Sequence, residues 1–163
     1  MNDMQRRRRD SLIERSLRAV ELRACGRTEE FVAETFGVAD GVIGLLHELA
    51  TEGCEPREQA RLWKLLGDAY ASLANSPRDP NLEKAIAALV EADLLFAHAD
   101  LAEESIRVDL ALAAALSRAG RAADAARRVR TALKRAAADT CELPGDLCDE
   151  LADAAQRHLL HVG

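Results

Sequence analysis

Apolar residues recur at every third or fourth position along almost the whole chain, which is the spacing of one face of an α-helix. The first such series is Leu12, Ile13, Leu17, Val20 and Ala24. The 163 residues include 32 alanines and only five aromatic residues. Alanine favours helix, whereas strands favour aromatic and β-branched side chains. The pattern therefore predicts an all-α fold and argues against a β-sandwich, a barrel or a Rossmann sheet.

Turn-forming residues divide the chain into about eight predicted helices arranged as antiparallel pairs. The predicted segments are a first helix that ends before Gly26, then residues 28–37, 40–53, 56–74, 82–96, 100–119, 121–138 and 146–161. The loop at 75–81 holds two prolines, and Asp100 with Glu103 resembles a capping pair. Gly41 and Gly44 weaken the prediction for 40–53, because each costs about 1 kcal/mol relative to alanine inside a helix.

One of these helix pairs carries a repeat motif. Residues 63–70 read WKLLGDAY, and the following helix reads AIAALVEA at 85–92. These residues resemble the W-x2-L-G-x2-Y opening and the A-x3-F…A continuation of a tetratricopeptide repeat, with Leu89 in place of the aromatic residue. The next pair, from Asp109 to Leu133, keeps the alternation of small and large residues but lacks the Trp and the Tyr. The turn of the first unit is six residues longer than that of the second.

The resemblance implies antiparallel helix pairs stacked as a short right-handed superhelix. Small residues at Gly67 and Ala85 would let two helices touch, with Trp63 and Tyr70 packed beside the contact. The alternative is an irregular helical bundle in which both aromatic residues belong to the core. On the repeat interpretation the parts of the chain are a basic disordered tail at 1–9, a degenerate repeat or cap at 10–55, two repeat units at 56–139 and a capping helix at 140–163.

Tetratricopeptide arrays bind a peptide or a partner helix in a concave groove, so the resemblance implies a protein partner. The groove residues that it implies are Arg61, Lys64, Asp68, Ala71, Arg107, Leu110, Ala114 and Ser117. They predict basic edges and an apolar floor, suited to an amphipathic helix or to an extended segment that carries acid. The alternative is that these charges are ordinary solvated surface residues. Asp68 and Ala111 stand where some family members place asparagines of a carboxylate clamp, which argues against binding of a chaperone tail.

Two basic clusters leave a second class of function open. Four arginines at 6–9 could bind nucleic acid or a membrane surface, but no aromatic residue is interleaved, and the chain has a net charge of −6. Residues 121–135 are also basic, whereas 139–153 are acidic, and these opposite charges would flank one helix contact. The alternative is a patch for phosphate or an acidic partner. The residues of that patch would be Arg127, Arg128, Arg130, Lys134 and Arg135.

The sequence contains no recognisable enzyme signature, so we expect no catalytic, cofactor-binding or metal-binding residue. His158 and His161 have a spacing that could supply two metal ligands, but no carboxylate lies within one turn of them. No apolar run approaches the ~20 residues that span a bilayer. The four cysteines form no C-x-x-C pair. Together these features favour a cytoplasmic protein with reduced thiols.

The sequence as a whole predicts a non-catalytic protein–protein interaction module, either an adaptor or a small chaperone, that binds its partner in a concave groove and could also form a homodimer. The alternative is a nucleic-acid-associated or regulatory protein that uses the arginine tail and the basic helix at 121–135. An enzyme is the third possibility.

Overall fold

A computed structural model describes residues 1–52, 55–99, 101–138 and 143–159. Within these residues the chain is all-α, with seven helices and no strand, as the sequence predicts. The helices are α1 (Asp3–Ala24), α2 (Thr28–Glu52), α3 (Pro56–Leu73), α4 (Pro80–His98), α5 (Ala102–Arg118), α6 (Ala122–Ala138) and α7 (Gly145–Leu159). Among the described helices, none is both long enough and apolar enough to cross a membrane.

The helices pack in chain order, and the odd-numbered helices form the tighter of two rows. Each helix contacts the next one along the chain, and α3 also contacts α1 and α5, while α5 contacts α7. In the described part of the chain, no even-numbered helix contacts another even-numbered helix. Since α1, α3, α5 and α7 are closer together than α2, α4 and α6, the odd-numbered helices line the inner face of the array.

A glycine lets α3 and α4 approach closely. A Cβ atom placed on Gly67 would lie 2.6 Å from Cγ of Leu89 and 3.3 Å from the carbonyl oxygen of Ala85. Ala85 is fully buried. Trp63 packs against both large core clusters, and Tyr70 packs against the one formed mainly by α2 and α3. Gly67 and Ala85 therefore lie at the contact between α3 and α4, and Trp63 and Tyr70 are partly buried against the adjoining core clusters.

Residues 28–52 form one helix, where the sequence predicts two helices at 28–37 and 40–53. Three glycines explain the difference, because Gly37, Gly41 and Gly44 all face α1. A Cβ atom on Gly41 would lie 2.5 Å from Cδ2 of Leu12. The glycines thus permit close packing of α1 on α2, and this packing outweighs their intrinsic cost in a helix.

Residues 3–9 belong to α1, where the sequence predicts a disordered basic tail at 1–9. Asn2 and Gln5 form a reciprocal capping box at the start of the helix, and the buried Gln5 donates a hydrogen bond of 2.7 Å to Glu52. Arg8 forms an ion pair with Glu48 at 2.5 Å, and Arg9 forms one with Glu58. Two of the four arginines of the run are thus paired with acidic residues of α2 and α3.

Candidate functional site

The structure gathers four of the eight predicted groove residues around one cavity on the inner face. Lys64 comes from α3, and Arg107, Leu110 and Ala114 come from α5. The cavity measures about 350 Å³, and α7 forms its other wall. We call it the inner-face cavity. Its remaining lining residues are Ala111, Glu150, Ala154, Arg157 and His158.

The floor of the inner-face cavity is apolar and its rim is basic. The floor residues are Leu110, Ala111, Ala114 and Ala154. The charged residues that line the rim are Lys64, Arg107, Arg157 and Glu150, and further carboxylates lie beside the first two cations. Burial, together with the charge of Arg157, lowers the pKa of His158 below its ordinary value of 6.5, which favours the neutral imidazole. The lining therefore suits a ligand that presents an acid beside an apolar group.

Carboxylates of the protein already contact two of the rim cations. Lys64 pairs with Asp68 at 2.7 Å, one helical turn further along α3. Arg107 pairs with Glu103 at 3.2 Å and with Asp146 of α7 at 2.9 Å. Pairs as exposed as these contribute about 0–1 kcal/mol each. A partner carboxylate can therefore replace them at small cost, and it would bring its own apolar neighbours to the floor.

The other four predicted groove residues lie on separate surfaces. Arg61 lines a second cavity of about 320 Å³ near Met1. Asp68 lines a third cavity of about 180 Å³ between α1, α2 and α3. The carbonyl oxygen of Ala71 accepts a hydrogen bond of 2.7 Å from Arg118, and Ser117 is exposed on α5. The predicted groove is thus divided into several smaller surfaces along the inner face.

Two of the five residues of the predicted acidic-partner patch are used inside the protein. Arg128 donates hydrogen bonds to Asp93 at 2.7 Å and to Asp109 at 3.1 Å. Arg135 donates to the same two carboxylates at 2.8 Å and 2.5 Å. These four residues join α4, α5 and α6, and we call them the ionic cluster. Arg127, Arg130 and Lys134 are exposed, whereas Arg128 and Arg135 are bonded to the two carboxylates, and binding of an acidic partner at these residues stays a prediction.

The charges of α6 and α7 also pair differently from the prediction. The two helices are in contact, but the ionic cluster draws its acids from α4 and α5. The acid of α7 that forms an ion pair, Asp146, binds Arg107 of α5. Residues 139–142 of the predicted acidic segment lie outside the described residues.

The ionic cluster contains a carboxyl group with an unusual environment. The side chain of Asp109 is completely buried. Burial raises its pKa to about 6, an effect that outweighs the opposing charges of Arg135 and Arg128 and is reinforced by the negative charge of Asp93. The sequence does carry a signal for this site, since Asp93 and Asp109 occupy core positions in otherwise apolar series.

Several predicted features lie outside the described residues. They are the capping residue Asp100, the second histidine His161, and the cysteines Cys54 and Cys141. The other two cysteines, Cys25 and Cys148, are exposed free thiols.

Comparisons of the sequence with models of known protein families and with curated proteins give no match.

Proposed function

We propose that this protein is a non-catalytic interaction module, an adaptor or small chaperone, that binds an acidic and apolar segment of a partner protein in the inner-face cavity. The observation that carries the proposal is the convergence of three cations on an apolar floor between α3, α5 and α7. The resemblance of residues 63–70 to a tetratricopeptide repeat supports the same mode of binding.

The size of the inner-face cavity limits the kind of ligand. A volume of about 350 Å³ lies at the lower end of the range for ligand pockets. Such a volume accommodates one or two side chains of a longer segment that runs along the inner row of helices. Anchor residues of this kind supply most of the affinity in protein interfaces, while the surrounding contacts exclude water. The partner segment would therefore contain a large apolar side chain next to Asp or Glu.

The test is a selection of random displayed peptides on the wild-type protein, followed by affinity measurements on two variants. Ala114→Glu places bulk and negative charge in the inner-face cavity. Ala87→Glu is its matched control, because Ala87 is an exposed alanine in the middle of α4, on the outer row. Both variants should retain the helical content of the wild type.

We expect the selected peptides to combine an acidic residue with Leu, Ile or Phe. Ala114→Glu should weaken their binding by about tenfold or more, since it removes an apolar contact and repels the acid. Ala87→Glu should leave the affinity unchanged. Failure to enrich any peptide, or equal affinity of the selected peptides for both variants, would overturn the proposal.

A further inference from the structure

The inner-face cavity contains a group that can change its charge near neutral pH. His158 lies in the last turn of α7 and lines the cavity, and its side chain is partly buried there. Histidine is the side chain whose ordinary pKa places its change of charge between pH 5 and pH 8. A shift of pH in this range therefore changes the charge of the cavity wall itself.

Charged groups of three helices line the cavity together with His158. Lys64 comes from α3, Arg107 from α5, and Glu150 and Arg157 from α7. The carboxylates paired with the first two cations are Asp68, Glu103 and Asp146. Helix α6, which also packs on α7, contributes none of the described lining residues. The cavity thus holds both signs of charge, and a proton on His158 adds one positive charge to this balance.

The free protein and a bound acidic ligand act on His158 in opposite directions. In the free protein, burial and the charge of Arg157 lower the pKa of His158. A carboxylate brought into the cavity attracts the imidazolium, which can donate hydrogen bonds from both ring nitrogens. The ligand therefore raises the pKa of His158. Because the coupling of two binding events is reciprocal, the proton strengthens the binding of the ligand by the same factor.

We propose that His158 makes binding in the inner-face cavity dependent on pH, so that an acidic segment binds more tightly when the imidazole is protonated and more weakly when it is neutral. This inference rests on the proposed function, because it concerns the same cavity and the same acidic ligand. It adds a form of regulation to that function. The affinity for the partner rises as the pH falls from about 7.5 to about 5.5.

The probe is a rhodamine-labelled peptide from the displayed-peptide selection on the wild type, chosen to contain Asp or Glu and no histidine. A second peptide carries Asn or Gln in place of each acidic residue. Fluorescence anisotropy gives the affinity of each peptide at pH 5.5 and pH 7.5.

Three variants separate His158 from other titrating groups. His158→Gln removes the group in the cavity. His47→Gln is its matched control, because the exposed His47 lines a separate cavity of about 230 Å³ between α2 and α3. Asp109→Asn removes the carboxyl group of the ionic cluster, which has a pKa of about 6 and lies outside the cavity lining.

We expect the acidic peptide to bind the wild type about three- to tenfold more tightly at pH 5.5 than at pH 7.5, which corresponds to a rise of about half a unit to one unit in the pKa of His158 on binding. His47→Gln and Asp109→Asn should keep this difference, and His158→Gln should lose it. The amide peptide should bind the wild type equally at both pH values. In an NMR titration, the imidazole signal that is missing from His158→Gln should titrate at higher pH in the peptide-saturated protein than in the free protein.

The outcomes distinguish this inference from the proposed function. If the acidic peptide binds the wild type equally at both pH values, the inference is overturned and the proposed function stands. A difference that persists in His158→Gln also overturns the inference, because another group then carries the pH dependence. If the selection yields no peptide that binds the wild type, the proposed function fails and the inference fails with it.

Discussion

At the scale of single residues, the most unusual feature is the ionic cluster between α4, α5 and α6, in which the two carboxylates are buried and the arginine side chains are 28% and 26% exposed. Asp109 is completely buried, and both arginines of the ionic cluster contact it. Removing charges from water is costly, and the cost is offset only where good geometry satisfies the hydrogen-bonding groups. Every buried side-chain polar atom among the described residues has a hydrogen-bond partner, but the raised pKa of Asp109 indicates that the two arginines offset only part of the cost of burying its charge. The ionic cluster therefore fixes how the three helices align.

The raised pKa of Asp109 predicts a specific pH dependence of stability. Its folded pKa of about 6 exceeds the ordinary value of 3.8. Between about pH 4 and pH 6 the folded state therefore keeps a proton that the unfolded state releases, so this contribution to stability is full below pH 4 and falls as the pH rises. Asp109→Asn lacks the titrating group. The free energy of unfolding of the wild type, minus that of Asp109→Asn, should fall by roughly 2–3 kcal/mol across this window.

Urea unfolding at several pH values measures this difference, and the subtraction removes the contributions of the other acids. Glu34 is one acid that acts in the opposite direction. Arg15 lowers the pKa of Glu34, so the stability contributed by Glu34 is present above its ordinary pKa and is lost at lower pH. A difference between wild type and Asp109→Asn that stays constant from pH 4 to pH 6 would contradict the assignment.

At the scale of helices, the close contact between α3 and α4 depends on the absence of a side chain at Gly67. Gly67→Ala should destabilise the protein by about 1–3 kcal/mol, because its Cβ atom meets Leu89 and the backbone of Ala85. Gly44→Ala is the matched control, since a Cβ atom there meets only the end of the Arg8 side chain, at 3.1 Å. Arg8 can move, so this variant should be neutral or more stable by up to about 1 kcal/mol. Urea unfolding compares them, and equal stability would refute the packing argument.

The bounds of the helices show which parts of the fold the sequence predicts and which parts it does not. The predicted helices at 56–74, 82–96 and 121–138 agree with α3, α4 and α6 to within about two residues, because prolines, glycines and caps mark their ends locally. The continuity of α2 was not predictable in this way. Its glycines look like helix breakers until α1 is placed against them. The order of residues 3–9 likewise depends on acids of α2 and α3 that lie about 40 residues or more away in the sequence.

The residues of the candidate site also divide into those that local sequence predicts and those that depend on distant parts of the chain. Lys64, Arg107, Leu110 and Ala114 could be selected because their positions follow from a repeat motif. The α7 wall of the inner-face cavity could not be selected, since it depends on how a helix without the motif packs on α5. Arg128 and Arg135 were assigned to the surface because the arginine-rich composition of α6 does not reveal the buried acids of α4 and α5.

At the scale of the whole molecule, long-range contacts join successive pairs of helices into one array. Trp63 packs against both large core clusters. Arg118 of α5 donates hydrogen bonds of 2.7 Å to the carbonyl oxygens of Ala71 and Ala74 at the end of α3. The ionic cluster then connects α4 and α5 to α6. In an array where each unit contacts mainly its neighbours, the stability of the whole depends on the interfaces between neighbours. When one interface is weakened, one end of the array can unfold before the other.

Two arginines of α6 allow this idea to be tested. Arg135→Met leaves Asp93 and Asp109 buried with Arg128 alone, and loss of one partner of a buried ion pair typically costs about 3–5 kcal/mol. Arg127→Met is the matched control, because this side chain is 74% exposed and pairs only with Asp124. Its effect should stay within about 0.5 kcal/mol. Far-UV circular dichroism reports all helices during unfolding in urea, whereas fluorescence of the single Trp63 reports the region around α3.

The two signals should coincide for the wild type and for Arg127→Met, because Trp63 lies between the two large core clusters. For Arg135→Met we expect the circular dichroism signal to begin to fall at a lower urea concentration than the fluorescence changes, as α5, α6 and α7 unfold first. If both signals of this variant shift together, the ionic cluster stabilises the array as one cooperative unit. An unchanged midpoint would mean that the ionic cluster contributes nothing to the alignment of the helices.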